Sequence, residues 1–196
     1  MRAAKWSLGR KIFGTNPIAF ACPLGEGDPL VFDMASSVMS QGDVLLARAA
    51  GRLLPEGVAV DRKGLPTTDP DAVIQGGALL PFGGAKGSSI AFMVEILGGV
   101  LSGSILGFEE RSLTTPGAVT SKSGQFVLLI DPRRSVGDQF SARVMELMNA
   151  ICASGVERLP SFRRYEHRRI AERDGIVLAP DQLRHLEAAE GAATSG

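Results

Sequence analysis

The densest cluster of chemically capable residues is the loop PFGGAKGSS, residues 81–89. Gly83, Gly84 and Gly87 let the backbone approach a ligand closely, Lys86 adds a fixed positive charge, and an apolar helical pattern begins directly afterwards. Free amides and the positive end of that helix favour an anion. The spacing is neither GxxxxGK[ST] nor GxGxxG, so a tight turn packed under the helix stays open as the alternative. The second feature is an aspartate. In FDMASSVMSQGDVLLARAAG (32–51), Gly42 and Asp43 fall inside a helical pattern, where a glycine costs roughly 1 kcal/mol relative to alanine. Either Asp43 is a solvent-facing carboxylate, or it is a buried one that orients a histidine or stabilises its protonated form. In the second case Gly42 is small so that a ligand can pass the backbone.

Thr15, in GTNPIAF (14–20), offers a hydroxyl to a substrate, although Asn-Pro is first a turn former. Arg158, Arg163, Arg164, Arg168, Arg169 and Arg173 form a basic run. It reads as a solvated helix face, or as guanidinium forks for a phosphate. His167 and His185 stand among charged residues with no orienting partner in sequence, and no His/Cys cluster has zinc spacing.

These residues need elements to hold them. Of the 196 residues, 44% are hydrophobic, and 21 basic residues balance 21 acidic ones, which suits a globular protein and argues against a nucleic-acid partner. Two cysteines without a CxxC favour a reducing compartment. The start lacks a signal-peptide core, and the most apolar run, 89–101, is broken by Glu95 and too short for a bilayer, so a soluble cytoplasmic protein is expected. Strands are predicted over 17–22 and 29–33, with Asp33 as N-cap of a helix over about 35–50 that Gly51 ends. The Pro-, Gly- and Asp-rich stretch 52–73 reads as a surface excursion. A buried helix is predicted over about 88–101 and a strand over 125–131, closed by Pro132. A helix beginning near Asp138 carries Phe140, Val144, Leu147, Met148 and Ile151 on one face, and an amphipathic segment follows at 180–189.

GTNPIAFACP, FDMASSVMSQGDV, PEGVAVDRKGLPTTDPDAV, LLPFGGAKGSSIAFMVEILGGVLSG and RLPSFRRYEHR occur in that order. As an ordered set they resemble the malate/L-lactate dehydrogenase family of the non-Rossmann type. The QGDV variant is most similar to its delta-1-piperideine-2-carboxylate/delta-1-pyrroline-2-carboxylate reductases. The resemblance implies an α+β fold, a mixed, mainly antiparallel sheet flanked by helices. Residues 11–132 would be a cofactor-binding domain, 133–189 a C-terminal helical segment completing the site, and 190–196 a disordered tail. It implies NADPH, alternatively NADH, and reduction of cyclic 2-imino acids to pipecolate or proline. The alternatives are an NAD-dependent malate, lactate or ureidoglycolate dehydrogenase, or a non-catalytic nucleotide-binding remnant.

By the same resemblance, Asp33, Met34, Ala35, Gln41 and Gly42 would line the cofactor, and Gly84, Ala85 and Lys86 would hold a phosphate-bearing part of it. Pro160, Ser161, Phe162, Arg163, Arg164, Tyr165 and Glu166 would close over it, and Thr15 would contact the substrate. Asp43 would be the acidic member of a Ser–His–Asp relay. Ala85 stands where many relatives have histidine. The family's serine and proton-donating histidine precede the GTNP segment, and neither His167 nor His185 matches that histidine. The chain is therefore expected to lack the N-terminal catalytic domain, to lose about two to four orders of magnitude in rate from the missing acid, and to expose an apolar face. A homodimer, or a chain supplying the Ser/His domain, is the expected partner besides the small-molecule substrate.

Overall fold

The computed structural model describes residues 12–25, 27–109, 123–156 and 159–193; Arg158 and residues 194–196 of the expected tail lie outside them. The elements are α+β: short strand pairs and six α-helices among the described residues. The chain divides into two units, Met1–Ala21 with Val31–Gly137, and Cys22–Leu30 with Asp138–Gly196.

In the first unit, β1 (Ile18–Cys22) pairs with β2 (Leu30–Met34), and the rings of Phe20 and Phe32 stack with centroids 5.3 Å apart. Asp33 is exposed inside β2 and does not cap a helix. Helix α1 (Gln41–Ala49) starts later, at Ser40. The Ser40 hydroxyl accepts the Asp43 N–H at 3.0 Å, and the Asp43 carboxylate accepts the Ser40 N–H at 3.1 Å and its hydroxyl at 2.7 Å. This is a capping box, which satisfies amide donors that the first turn leaves open. Gly42 thus sits in the first turn and not mid-helix, where its entropic cost is greatest. Gly51, at φ +61°, follows the helix end as predicted.

The stretch 52–73 is not a surface excursion but carries much of the unit's core. Leu54, Val58, Ala59 and Val73 are buried with Val44, Ala47 and Leu79. Strand β3 (Ala59–Val60) pairs antiparallel with β4 (Ala78–Leu79), in register Ala59↔Leu79 and Val60↔Ala78. Helix α2 (Pro70–Ile74) is capped by Asp69, which accepts the Asp71 N–H at 2.9 Å. The turn residues that suggested an excursion are real turns: Asp61 accepts the N–H groups of Lys63 and Leu65. Between them Leu54, Val58, Ala59, Val60 and Val73 point inward, while Leu53 and Leu65 stay exposed. At Gly77 an added Cβ would lie 2.4 Å from the Val60 carbonyl oxygen, so only glycine lets the chain pass there.

Helix α3 (Ala85–Val94) begins before the predicted 88 and continues as a π-helical stretch, Glu95–Val100. It is not buried all round, since Phe92 is 57% and Leu101 65% exposed. The predicted strand at 125–131 is not paired among the described residues, and Leu129 is 89% exposed. A run apolar on both faces is the pattern of a strand covered on both sides, and the described residues provide no such cover. Asp131 accepts from the Arg133 guanidinium and N–H, which hold its carboxyl below the ordinary carboxylate range. The chain is expected to bind a hydrophobic-surface dye. Leu129→Lys should reduce the signal and leave the melting midpoint within about 2 °C, and an unchanged signal would show that this run is covered in solution.

In the second unit, α4 (Gln139–Ala153) buries Met148, with Phe140, Val144 and Ile151 half-buried and Leu147 exposed. Helix α5 (Phe162–Asp174) has no buried residue. Helix α6 (Pro180–Ala193) runs past 190, so the start of the expected tail is helical.

Candidate functional site

Backbone hydrogen bonds bring three of the sequence motifs together in the first unit. The Ser36 N–H and hydroxyl both donate to the Thr15 carbonyl, at 2.9 and 3.0 Å. The Phe82 N–H donates to the Ser36 carbonyl at 3.2 Å, and the Val38 N–H to the Leu80 carbonyl at 2.9 Å. Ser37 and Pro81 form the antiparallel bridge at the centre of this ladder. Its register places Ala35 and Met34 toward the Gly83–Gly84 end. The start of α1, with Gln41, Gly42 and Asp43, continues from the other end. Ser36, buried to 1% exposure, is the hub of the three segments. Sequence reasoning passed over it, because a serine in a serine pair carries no spacing signal of its own.

The glycine loop is a preformed turn. Gly83 and Gly84 have φ of +55° and +61°, and nothing lies within 4 Å of a Cβ built on Gly84, so that backbone edge is bare. Gly87 is the opposite case: a Cβ there would meet the Phe82 carbonyl oxygen at 2.2 Å. The expected free amides are largely engaged. Gly84, Lys86 and Gly87 donate to the carbonyls of Pro81, Gly83 and Phe82 at 3.3, 3.3 and 2.9 Å. What remains for an anion is the exposed Lys86 ammonium and the Ala85 N–H, at the positive end of α3. Those groups, with the bare glycine edge, could take an anion.

Asp43 is exposed, and its carboxylate binds Ser40 through one oxygen, Oδ2. Asp33 and Met34 are exposed, Ala35 is half-buried, and Gln41 and Gly42 are exposed. Thr15 is half-buried. Asn16, read from sequence as a turn former, has φ +37° and does more than turn the chain. Its amide donates to the Ala91 carbonyl at 2.8 Å and to Glu95 Oε2 at 2.7 Å, and Glu95 Oε1 accepts the Gly107 N–H. Glu95, which interrupts the apolar run in sequence, thus ties the Thr15 turn to the start of the π-helical stretch. Such stretches recur at functional sites.

Pro160–Glu166 lies in the second unit, entering α5 through Ser161 at φ +68°. Arg163 and Arg164 are exposed. The Tyr165 hydroxyl donates to the Pro29 carbonyl at 2.7 Å. Arg168 pairs with Glu172 at 3.0 Å, which raises its pKa, and Arg173 pairs with Asp174 at 2.8 Å. His167 is exposed on α5, and His185 on α6 contacts the Asp181 carbonyl at 2.7 Å. No histidine falls in the first unit, so the unit that holds Asp43 carries no imidazole for it to orient.

The profile described as malate/L-lactate dehydrogenase matches residues 2–187. The chain belongs to the malate/L-lactate dehydrogenase family. Within that family it is 47% identical over 178 residues to the Delta(1)-pyrroline-2-carboxylate/Delta(1)-piperideine-2-carboxylate reductase of Pseudomonas putida, covering 91% of this chain and 52% of the relative. It is 43% identical over 166 residues to the (2R)-3-sulfolactate dehydrogenase (NADP(+)) of Chromohalobacter salexigens, covering 85% and 49%. The crystal structure of the delta1-piperideine-2-carboxylate reductase from Pseudomonas syringae pv. tomato superposes with a TM-score of 0.84 at 47% identity, covering 90% of this chain and 53% of that one. The chain spans about half the length of the curated relatives it matches.

Proposed function

We propose that the chain binds a nicotinamide dinucleotide, NADPH with NADH as the alternative, and serves the reduction of cyclic 2-imino acids of the pyrroline-2-carboxylate and piperideine-2-carboxylate class. The observation that carries the reading is the preformed glycine turn with Lys86 beside it, tied by the Ser36 ladder to Thr15 and Ala35. The identity to reductases named for these substrates supports the substrate class. When bound, the cofactor supplies the hydride. Lys86 and the Ala85 N–H hold a phosphate-bearing part of it, and Asp33, Met34, Ala35, Gln41 and Gly42 line it. On the family resemblance we also assign Pro160, Ser161, Phe162, Arg163, Arg164, Tyr165 and Glu166 to the cofactor. The two ends of the ladder suit an extended ligand, with the cation at one end and Asp43 at the other. Thr15 offers its hydroxyl to the substrate.

Asp43 has Oδ2 held by Ser40, which leaves Oδ1 to orient an imidazole and stabilise its protonated form. Neither His167 nor His185 matches the family's proton donor, and we propose as partner a second copy or a chain carrying a Ser/His segment. The (2R)-3-sulfolactate dehydrogenase relative favours a second reading, oxidation or reduction at a 2-hydroxy or 2-keto acid. We place the protein in the cytoplasm, on its two free thiols, Cys22 and Cys152. Among the described residues, no helix is long and apolar enough to cross a membrane.

The test is a titration of the purified chain with NADPH, followed by nicotinamide fluorescence. Saturable binding is expected, weakened about tenfold by Lys86→Ala. Absence of binding by folded chain, or equal binding by the variant, overturns the assignment of the glycine loop. Turnover with piperideine-2-carboxylate set against a 2-keto acid separates the two substrate readings.

A further inference from the structure

Helix α5 poses a physical problem. It runs from Phe162 to Asp174 without one fully buried side chain, whereas in proteins apolar packing supplies most helical stability. Two of its long-range contacts are polar and converge on one short segment. The Tyr165 hydroxyl donates to the Pro29 carbonyl at 2.7 Å, and the Arg169 guanidinium pairs with the Asp28 carboxylate. Tyr165 and Arg169 are four residues apart and so share one face of the helix. Asp28 and Pro29 sit in the connection between β1 and β2, which groups with the C-terminal helices and not with its own strands. Gly25 and Gly27, at φ +85° and +105°, give that connection its turn. Asp28, Tyr165, Arg168, Arg169 and Glu172 line the resulting depression of about 190 Å³.

We infer that Asp28 and Arg169 are positioning residues, whose ion pair anchors α5 so that the segment 160–166 is held ready for the cofactor. The inference rests on the reading of 160–166 as a cofactor segment. The anchor has a chemical logic. The first residue of β2 directly follows Asp28 and Pro29, and that strand ends at Asp33 and Met34. One turn of chain therefore links both stretches assigned to the dinucleotide. Asp28 and Arg169 need not touch the ligand; they act through the backbone on either side. An exposed ion pair alone is weak. Here it is reinforced by the Tyr165 hydrogen bond on the same helix face.

A charge swap tests this. Asp28→Arg, Arg169→Asp and the double variant are compared with wild type for tryptic cleavage after Arg163 and Arg164, and for NADPH affinity. Each single reversal should speed cleavage and raise the dissociation constant about fivefold, and the double should return both toward wild type, the coupling expected of a direct pair. Unchanged cleavage in the single variants, or no recovery in the double, overturns the anchor. Cleavage that follows the charges while affinity stays fixed overturns the positioning role and leaves the cofactor reading intact. Wild-type chain that binds no NADPH, with cleavage still following the charges, sinks the cofactor reading and the positioning role with it, and leaves only a structural clamp.

Discussion

Gly87→Ala is expected to destabilise the first unit by about 3 kcal/mol and to abolish the organised glycine loop. The added Cβ would stand 2.2 Å from the Phe82 carbonyl oxygen and 2.8 Å from its nitrogen. Both are backbone atoms, so no side chain can swing aside, and the turn itself must open. Opening it breaks the 2.9 Å bond from the Gly87 N–H to the Phe82 carbonyl. It also pulls on Phe82, whose N–H holds Ser36 and through it the Thr15 turn. Gly84→Ala is the control. Its Cβ meets nothing within 4 Å, and the cost is backbone strain alone, at φ +61° and ψ −112°, about 2 kcal/mol. Urea unfolding of both variants reads the difference, with NADPH titration alongside. Equal midpoints for the two would mean that Gly87 does not pack as the structure has it.

Asp43→Asn is expected to lower turnover by about a hundredfold or more if Asp43 orients and charges a proton donor. The same residue has a structural duty, as the third residue of α1, which closes the capping box with Ser40. The two duties separate through Ser40. Ser40→Ala removes the hydroxyl that caps the Asp43 N–H at 3.0 Å and binds Oδ2 at 2.7 Å. It should cost about 1 kcal/mol of stability, and a far smaller loss of rate than Asp43→Asn. The measurement pairs the rate of NADPH oxidation under substrate with thermal melting of each variant. If both substitutions lower the rate and the melting midpoint in step, Asp43 is only a cap, and the relay assignment falls.

The capping box was legible in the sequence, because Ser40 and Asp43 have the spacing that puts a hydroxyl on the amide three residues ahead. Reading the helix from Asp33 hid it. An aspartate before an apolar-periodic stretch is also a good cap, and local chemistry alone cannot choose between two such starts. The choice went to Ser40 because Ser36, Ser37 and Val38 are held in an extended ladder against Leu80, Pro81 and Phe82. A residue whose backbone is committed to a long-range pairing cannot begin a helix.

The same division runs through the whole chain. Local sequence determined β1 and β2, the glycine turn that opens α3, the helix starting at Asp138, and the ordered motifs that mark the family. Each depends on residues a few positions apart, through φ preference, capping or alternation. The tertiary structure decided the rest. It made 52–73 part of the core, where Leu54, Val58, Ala59 and Val73 meet residues distant in sequence. It gave Asn16 and Glu95 to each other across 79 positions. It also left Leu129 and its neighbours unpaired, although their composition reads as a strand. Burial and strand pairing are properties of two segments at once, so a sequence window that holds only one of them cannot decide either.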